Sequence, residues 1–418
     1  MLNTVSIILA ADNSENFKSK KSKYQHEILF KPMINWVCDA CRTAGIENNS
    51  VAISEKNAAL ADIIPEDFSV LADHKDIMAF AAKNMEKDIL MINGDNIFVD
   101  KETLEKSYEA HKTDSNDITS VIVDFNGKTV NCNIHWLKCE YFLKVLGIIQ
   151  NLDNSSEGNP FDTLSSADGK KGVYQTPNSN CVCQVPDRAA FVHITEFARI
   201  YVLDKLCKEG VNIPYDTGVI ISPDAQIGMD TTILPNTIIE GKTIIGEDCE
   251  IGENSHIISS TIGNGNKILS SYIEESIIHH NAKIGPYVHI RPKSEIFDAV
   301  KLGNFVEIKS SSIDKYTSVA HLTYLGDSKL GKFVNVGCGV VTANYDGAEK
   351  HHTIIEDSAF IGCNTNFIPP VHIGKGSVIG AGSTIDQDVE DFALALARNK
   401  QVVKSDWALR KGKYKKGL

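Results

Sequence analysis

The sequence predicts two consecutive folds, an α/β domain in the first half and a parallel β-helix in the second. Aliphatic residues recur at strict six-residue intervals, and glycine directly follows many of them, as in Ile227-Gly228 and Ile361-Gly362. A helix does not repeat every six residues and an exposed strand repeats every two, so this spacing is typical of a coil with three short strands per turn. One aliphatic side chain per strand then points inward and stacks on its equivalent in the next turn. The first set is Ile221, Ile227, Ile233, Ile239, Ile245, Ile251 and Ile257.

The six-residue spacing slips twice after this set and resumes each time. We interpret the break around 310–326 as a loop that leaves the coil, and an excursion from a rigid scaffold is a favoured place for a functional site. The two later sets are Ile278, Ile284, Ile290, Ile296, Leu302 and Ile308, then Ile355, Ile361, Phe367, Ile373, Ile379 and Ile385.

Residues 1–209 have the alternating pattern of strands and helices that is typical of an α/β domain. Apolar segments at Val5–Leu9 and Ile89–Asn93 predict strands. Helical patterns at Ile34–Ala44 and Leu71–Met85 predict helices between these strands.

A further helix, from about 189 to 209, is predicted to connect the two halves. Gly210 follows it in the position of a C′ glycine, which ends helices because it tolerates positive φ. The predicted domains are therefore an α/β domain at 1–209, a β-helix at 210–396 and a basic C-terminal arm at 397–418.

Composition and charge narrow the possible functions. The 418 residues carry a formal net charge of −12, which argues against a nucleic-acid partner. No apolar run reaches the length that spans a membrane, and the apolar start at Ser6–Ala10 is too short for a secretion signal. We therefore expect a cytoplasmic protein without membrane insertion.

The cysteines and the basic arm give weaker signals. The ten cysteines lack the paired CxxC spacing of a zinc site, so we expect reduced, structural thiols. Residues 398–418 carry eight Lys or Arg and one Asp. This arm is either a solvated chain end or a contact for an anionic ligand or a neighbouring subunit.

Polar side chains able to do chemistry concentrate between Arg291 and Lys350. One histidine, His321, with Arg291 and Lys309 on nearby turns suggests a general base beside an anion site. Arginine suits bidentate phosphate contacts, and lysine supplies a point charge. The alternative is that these residues only solvate the outer face of the β-helix.

Four segments of this region carry a resemblance to a known family. They read RP at 291–292, GNFVEIK at 303–309, HLTYLGD at 321–327 and ANYDG at 343–347. The stretch from about 221 to 407 resembles the acetyltransferase half of the bacterial bifunctional N-acetylglucosamine-1-phosphate uridyltransferase/glucosamine-1-phosphate acetyltransferases. The resemblance implies a left-handed β-helix, a homotrimer with sites between subunits, and acetyl transfer from acetyl-CoA to glucosamine 1-phosphate.

The resemblance also implies roles for individual residues. His321 matches the family's general base, which would accept the proton of the sugar's C2 amine as that amine attacks the thioester. The sugar-phosphate-binding positions match Arg291, Lys309, Tyr324, Asn344 and Lys350, with Asn335 beside them. The acetyl-CoA side matches Tyr345, Ala381 and Arg398, with Cys338 and Cys363 close to the thioester path.

Those two cysteines depart from the family pattern. The family usually has Ala where Cys338 stands and Ser where Cys363 stands. Cys338 could take up the acetyl group in a ping-pong route. Alternatively, it is one small buried residue in place of another. Cys363 can still approximate, weakly, the contact that a hydroxyl group would make.

The first half resembles a degraded copy of the family's Rossmann-like nucleotidyltransferase domain. The family opens with L-A-A-G-x-G-T-R-M, whereas here Leu9–Ala11 is followed by DNSENF, so the glycines, Thr and Arg that hold the triphosphate are missing. Lys23 and His26 survive, and Asp95 matches the metal-binding Asp. Its usual Asn partner is replaced by Pro186, and the neighbouring Asp187 could substitute only with a backbone shift.

We therefore predict a glucosamine-1-phosphate acetyltransferase whose uridyltransferase half has lost, or nearly lost, its activity. Mg²⁺ is expected only if that half is active. Two alternatives stay open: a fully bifunctional enzyme, and a non-catalytic β-helix scaffold or sugar-phosphate sensor. Retained UTP and Mg²⁺ binding would support the first. Loss of His321 or of the phosphate cluster would mark the second, and both are present.

Overall fold

The computed structural model describes residues 2–10, 14–152 and 167–413. The chain divides into two compact units, Met1–Val202 and Leu203–Leu418. The division falls within a long helix, Arg188–Lys208, which is the helix predicted to connect the two halves. Residues 11–13 of the altered phosphate-binding loop and residues 414–418 of the basic arm lie outside the described residues.

The first unit is built on a seven-stranded mixed sheet. Its strands pair in parallel except where Lys128–Lys138 runs antiparallel to both of its neighbours. Val5, Ile7, Ile89, Leu137 and Phe142 belong to its buried core. The order of strands across the sheet is Phe68–Leu71, Ile46–Ile53, Leu2–Ala10, Asp88–Asn93, Lys128–Lys138, Ile118–Phe125 and Lys171–Gln175.

Two helices in this unit begin where an aspartate side chain accepts one of the first free backbone N–H groups. Asp73 accepts from the N–H of Asp76 at 2.9 Å, and Asp100 accepts from Thr103 at 2.7 Å. The α-helices are Met33–Thr43, His74–Lys83, Lys101–Thr113, Cys139–Leu152 and Arg188–Lys208. Short 3₁₀ turns lie at Ser14–Phe17, Lys23–Gln25, Glu55–Asp62 and Ser179–Val182, and a small hairpin pairs Glu27–Ile28 with Lys31–Pro32.

The predicted α/β elements are confirmed, with ends that differ by a few residues. Gly210 has a φ of 97°, and its N–H donates to the carbonyl of Cys207 at 3.1 Å. It therefore ends the connecting helix as a C′ glycine does. Within the described residues, no helix combines the length and apolar character needed to cross a membrane.

The second unit is a parallel β-helix with three sheets, here named sheets 1, 2 and 3 in the order in which the chain visits them. The described strands of sheet 1 are Ile220–Ile221, Ile238–Glu240, His256–Ile258, Tyr272–Glu274, His289–Ile290, Glu307–Lys309, Tyr324–Gly326, Val341–Thr342, Asn366–Phe367 and Thr384–Ile385. Those of sheet 2 are Gln226–Ile227, Ile244–Ile245, Thr261–Ile262, Ile277–Ile278, Glu295–Ile296, Ser312–Ile313, Ser328–Leu330, Thr353–Ile355 and Val371–Ile373. Those of sheet 3 are Thr232–Ile233, Glu250–Ile251, Lys267–Ile268, Lys283–Ile284, Lys301–Asn304, Ser318–His321, Asn335–Val336, Phe360–Ile361, Val378–Ile379 and Leu394–Ala395.

Inward-facing aliphatic side chains stack in columns along this coil. Ile239 pairs with Ile257, and Ile290 pairs with Ile308, in register between neighbouring turns. All four are fully buried. Burying such a side chain stabilises the fold by about 1.5–3 kcal/mol. The prediction from the six-residue spacing is confirmed.

The prediction of a loop at 310–326 is wrong. The coil continues through Ser312–Ile313, Ser318–His321 and Tyr324–Gly326, each of which pairs with the preceding turn. The spacing shortens there by one residue, from Ile308 to Ile313. A corner can lose a residue without breaking the ladder, because each strand is held by hydrogen bonds to the turns before and after it.

The excursion from the coil lies later, at 343–352, between Val341–Thr342 and Thr353–Ile355. Thr342 takes the inward position of sheet 1 where other turns have an apolar residue, and it is 1% exposed. Its hydroxyl accepts a hydrogen bond from the N–H of Gly326 at 2.8 Å. Because this inward-facing residue is polar, the six-residue pattern of apolar residues is not visible in the sequence at the turn where the loop begins.

Candidate active site

Three cationic side chains converge at the edge where sheet 1 turns toward sheet 2. Ile290 pairs with Ile308, so Arg291 and Lys309 occupy equivalent positions on neighbouring strands, about 4.8 Å apart. Lys350 joins them from the excursion at 343–352. Its charge, followed by that of Arg291, lowers the pKa of Lys309. Like charges gathered in this way repel one another, and an anion bound between them would relieve the repulsion.

The Arg291 guanidinium is tethered on the outer face of sheet 1. Its Nη1 lies 3.0 Å from Oε1 of Glu307, on the neighbouring strand. Both side chains are more than one-third exposed, so the ion pair contributes little to stability, about 0–1 kcal/mol. Its effect is to orient the guanidinium.

Tyr324 and Asn344 form a second part of the same surface. Burial raises the pKa of the Tyr324 hydroxyl, and a hydrogen bond with Asn344 partly offsets that effect. Asn344 is 6% exposed, and its Nδ2 donates to Oδ2 of Asp327. Both side chains lie over Gly326, where an added Cβ would be 2.5 Å from the Tyr324 hydroxyl oxygen. Glycine is required there because it leaves room for them.

The loop at 343–352 is closed by hydrogen bonds around Asp346. One carboxylate oxygen accepts the backbone N–H groups of Ala348 at 2.8 Å and Glu349 at 2.7 Å. The other lies 2.7 Å from Nε2 of His351. These hydrogen bonds, first that from Glu349, hold the pKa of Asp346 well below its usual range. The loop that carries Asn344 and Lys350 is therefore shaped by an ionised carboxylate.

His321 lies at the corner between sheets 3 and 1. It is the last residue of the strand Ser318–His321 and is exposed, so it does not belong to an excursion loop as predicted. The next residue, Leu322, has a φ of 44°, which turns the chain toward Tyr324. The strand places His321 on a rigid corner rather than on a mobile loop.

Three of the predicted acetyl-CoA residues, Cys338, Cys363 and Ala381, lie on the same corner as His321, on successive turns. Val319 pairs with Val336, Val336 with Ile361, and Ile361 with Ile379. The residue two positions after each of these four strand residues lies at the corner. Together these corner residues form a column, which we call the corner column. It extends about 14 Å at about 4.8 Å per turn. Its members are His321, Cys338, Cys363 and Ala381.

Backbone hydrogen bonds hold the turns of the corner column together. The N–H of Asn364 donates to the carbonyl of Cys338 at 2.7 Å, and that of Gly382 donates to Cys363 at 2.8 Å. Arg398 lies on the next turn, one residue past the column position, with its Cδ 3.9 Å from where a Cβ on Gly382 would be. Cys338 is partly exposed and Cys363 is exposed, so the description of Cys338 as a small buried residue is wrong.

Not every predicted residue joins these two groups. Asn335 lies on sheet 3, where it pairs with Ser318 and Phe360, whereas the cation cluster lies on sheet 1. Tyr345 is in the loop, 60% exposed, with its hydroxyl donating to the carbonyl of Gly347 at 2.7 Å. Sequence reasoning missed Gly326 and the pairing of Asp346 with His351. The Asp-Gly turn signal at 346–347 could have found the latter.

Within the described residues, one carboxylate oxygen of Asp95 in the first unit is engaged by a cation and a backbone N–H. Asp95 is 1% exposed, and its Oδ2 lies 2.9 Å from Nζ of Lys23 and 3.1 Å from the N–H of Val185. Its Oδ1 has no hydrogen-bond partner. Asp187 accepts the N–H of Ala190 at 2.8 Å and so caps the connecting helix. Among the described residues, no three His, Cys, Asp or Glu are grouped to hold a metal ion.

Comparison with known proteins identifies the family. The family model for the bacterial transferase hexapeptide (six repeats) matches 224–259 and 352–387, and that for the GlmU-like C-terminal hexapeptide matches 250–331. A bifunctional protein GlmU from Thermosipho melanesiensis is 35% identical over 441 residues, covering 97% of both chains. The chain belongs to the GlmU family. A GlmU from Acetivibrio thermocellus is 32% identical and covers 98% of both chains.

The GlmU relatives span both units of this chain. The hexapeptide family match and the three parallel sheets together confirm the left-handed β-helix. Among solved structures, a putative glucose-1-phosphate thymidylyltransferase from Bacillus anthracis covers 47% of this chain and 95% of its own, at 12% identity and a TM-score of 0.39. The family assignment therefore depends on the sequence relatives and the family models.

Proposed function

We propose that this GlmU-family chain transfers the acetyl group of acetyl-CoA to the amine of glucosamine 1-phosphate, in UDP-N-acetylglucosamine biosynthesis. The observation that carries the proposal is the cation cluster of Arg291, Lys309 and Lys350. It supplies a site for the phosphate of the sugar. The lowered pKa of Lys309, caused by the charges of Lys350 and Arg291, supports binding of an anion at this site.

His321 acts as the general base of the reaction. The C2 amine must be neutral to attack, so His321 accepts its proton as the new bond forms between nitrogen and the thioester carbonyl carbon. The carbon–sulfur bond then breaks, and coenzyme A leaves as a thiolate that takes up a proton. A positioned base contributes about 10²–10⁴-fold to such a rate.

Arg291, Lys309 and Lys350 fix the phosphate, and Tyr324 and Asn344 contact the sugar. Because the amine is then held beside the thioester, its attack becomes effectively a unimolecular step within the bound complex. Acetyl-CoA lies along the corner column, with Cys338, Cys363 and Ala381 near the thioester and Tyr345 and Arg398 farther along. The homotrimer is part of this proposal, with Asn335 contributing from sheet 3 to a site formed between subunits.

The uridyltransferase half is proposed to be inactive. The ion pair between Asp95 and Lys23 and the capping role of Asp187 support this, because neither carboxylate is then arranged for Mg²⁺. The fully bifunctional enzyme is the second candidate. It is favoured by relatives named bifunctional that match 97% of the chain.

A paired assay on the purified protein tests both parts of the proposal. Glucosamine 1-phosphate and acetyl-CoA are followed by free thiol release, and N-acetylglucosamine 1-phosphate, UTP and Mg²⁺ by pyrophosphate release. We expect thiol release without pyrophosphate release. Pyrophosphate release at a substantial rate would establish the bifunctional enzyme. Absence of both activities would favour a scaffold or a sugar-phosphate sensor.

A further inference from the structure

Cys338 and Cys363 form a pair of accessible thiols on adjacent turns of the corner column. We propose that they are a dithiol modification site, which a low-molecular-weight disulfide converts into an intramolecular disulfide. The consequence for activity rests on the proposed function, because the column is where the thioester of acetyl-CoA would lie. Formation of the disulfide itself does not depend on that function.

Strand register places the two residues opposite each other. Asn335 pairs with Phe360 and Val336 with Ile361, and the same register two residues on sets Cys338 beside Cys363. The hydrogen bond from the N–H of Asn364 to the carbonyl of Cys338, at 2.7 Å, shows that the two turns stay together at this corner. Adjacent strands are about 4.8 Å apart, which lies within the Cα separation of about 4.4–6.8 Å found in disulfides.

Closing the bond requires a small movement that the local chain permits. Equivalent side chains on stacked turns point the same way, so the Cβ atoms are also about 4.8 Å apart and must approach by about 1 Å to reach the mean of about 3.8 Å in disulfides. Cys338 is flanked by Gly337 and Gly339, and Cys363 follows Gly362. Glycine lets the backbone adjust at little steric cost.

Accessibility distinguishes this pair from most other cysteines of the chain; Cys183 is partly exposed like Cys338, but burial raises the pKa of its thiol. Six of the ten are buried, and burial raises the pKa of Cys41, for example, to about 12. Such thiols react poorly because the thiolate is the nucleophile. Cys207 is exposed but lies on the connecting helix, far in sequence from either member of the pair. It therefore serves as an internal control.

His321 occupies the position directly before Cys338 in the corner column. A histidine beside a thiol can accept its proton, and the resulting thiolate attacks a disulfide sulfur. The Cys338 thiolate attacks one sulfur of the small disulfide, forming a mixed disulfide and releasing one thiolate. Cys363 then attacks the Cys338 sulfur, and the second small thiolate leaves. The two cysteine protons end on the two released thiols, and the small disulfide is reduced by the two electrons that the cysteines lose.

The full-length protein, first reduced and freed of reductant, is treated in separate arms with glutathione disulfide and with coenzyme A disulfide. We expect intact-mass measurement to show the loss of two hydrogen atoms, and peptide mapping to join Cys338 to Cys363. The Cys207→Ser variant should give the same result. A faster reaction with coenzyme A disulfide would mean that the cofactor site delivers the oxidant. Equal rates would mean that any small disulfide serves.

Single variants of the pair test its chemistry. In Cys363→Ser the reaction should stop at a mixed disulfide on Cys338, seen as a stable adduct. Failure of both disulfides to join the pair in the wild-type protein, or joining of other cysteines instead, would overturn the proposal.

Activity separates the dithiol site from the proposed function. We expect thiol-release activity, measured before and after oxidation and after dithiothreitol, to be mostly lost and then restored. A disulfide that forms without loss of activity would overturn the proposed consequence of the disulfide for activity. A reduced protein without acetyltransferase activity would refute the proposed function, while the mass measurement still decides whether the disulfide forms.

Discussion

Single side chains decide the chemistry, and His321 is the first to test. We expect His321→Ala to lower kcat by about 10²–10⁴-fold, because the sugar amine then loses its base, with a small change in the KM for glucosamine 1-phosphate. Thiol release at saturating acetyl-CoA measures this. His279→Ala, which removes a histidine paired with Glu295 on sheet 2, is the matched control and should keep full activity. A kcat within a few-fold of the wild type for His321→Ala would refute the role of base.

Lys350 carries a second prediction at this scale. Removing its charge by Lys350→Ala should raise the KM for glucosamine 1-phosphate by about tenfold or more, since a hydrogen bond to a charged group is worth about 1.5–3 kcal/mol. Lys283→Ala, on sheet 3, is the control and should have no effect. An unchanged KM in Lys350→Ala would contradict the phosphate site.

The same variant should change the pH dependence of the reaction. Lys350 and Arg291 lower the pKa of Lys309, so Lys309 loses its proton at a lower pH than an ordinary lysine. The kcat/KM of the wild type should therefore begin to fall at a lower alkaline pH than that of Lys350→Ala, in which the repulsion is relieved. Profiles that coincide on the alkaline side would show that Lys309 does not contribute its charge to binding.

At the scale of elements, the loop at 343–352 joins the fold to the site. Asp346 accepts two backbone N–H groups and contacts His351, so it positions the loop that carries Asn344 and Lys350. Asp346→Ala should raise the KM for glucosamine 1-phosphate. The pH dependence of kcat should stay as in the wild type, because His321 is not in the loop. Asp346→Asn keeps an oxygen acceptor for the two N–H groups and should restore part of the affinity. Equal defects in both variants would show that the hydrogen bonds are not what positions the loop.

At the scale of the whole molecule, the first unit and the β-helix should respond separately to one change. Asp95→Asn removes the carboxylate from the buried ion pair with Lys23, and breaking such a pair costs about 3–5 kcal/mol. We expect the free energy of unfolding of the first unit to fall by about that amount in urea titrations, with acetyltransferase activity retained.

Replacing both partners completes that test. Lys23→Met combined with Asp95→Leu removes both charges and should recover much of the lost stability, because no charge then has to be buried at this place. Loss of pyrophosphate release in Asp95→Asn, from a wild type that shows it, would instead make Asp95 a working metal ligand.

Much of the fold could be read from the sequence because the repeat is local. The six-residue spacing of Ile221–Ile257 requires only that each strand send one side chain inward. The residues of the candidate site were found by their motifs, which placed His321 and the cations within one stretch. The break at 310–326 predicts a loop that the structure does not have, because a spacing of five residues between Ile308 and Ile313 interrupts the pattern in the sequence without interrupting the ladder.

By itself, the sequence determined the β-helix, the α/β first half and the resemblance that names His321 and the phosphate-binding residues. Only the tertiary structure decided which residues of different turns meet. Cys338 and Cys363 are far apart along the chain yet adjacent in the corner column, and the excursion departs where Thr342 takes the inward position. Register between turns arises from hydrogen bonds between distant strands, and short corners and loops change it by amounts that no local pattern records.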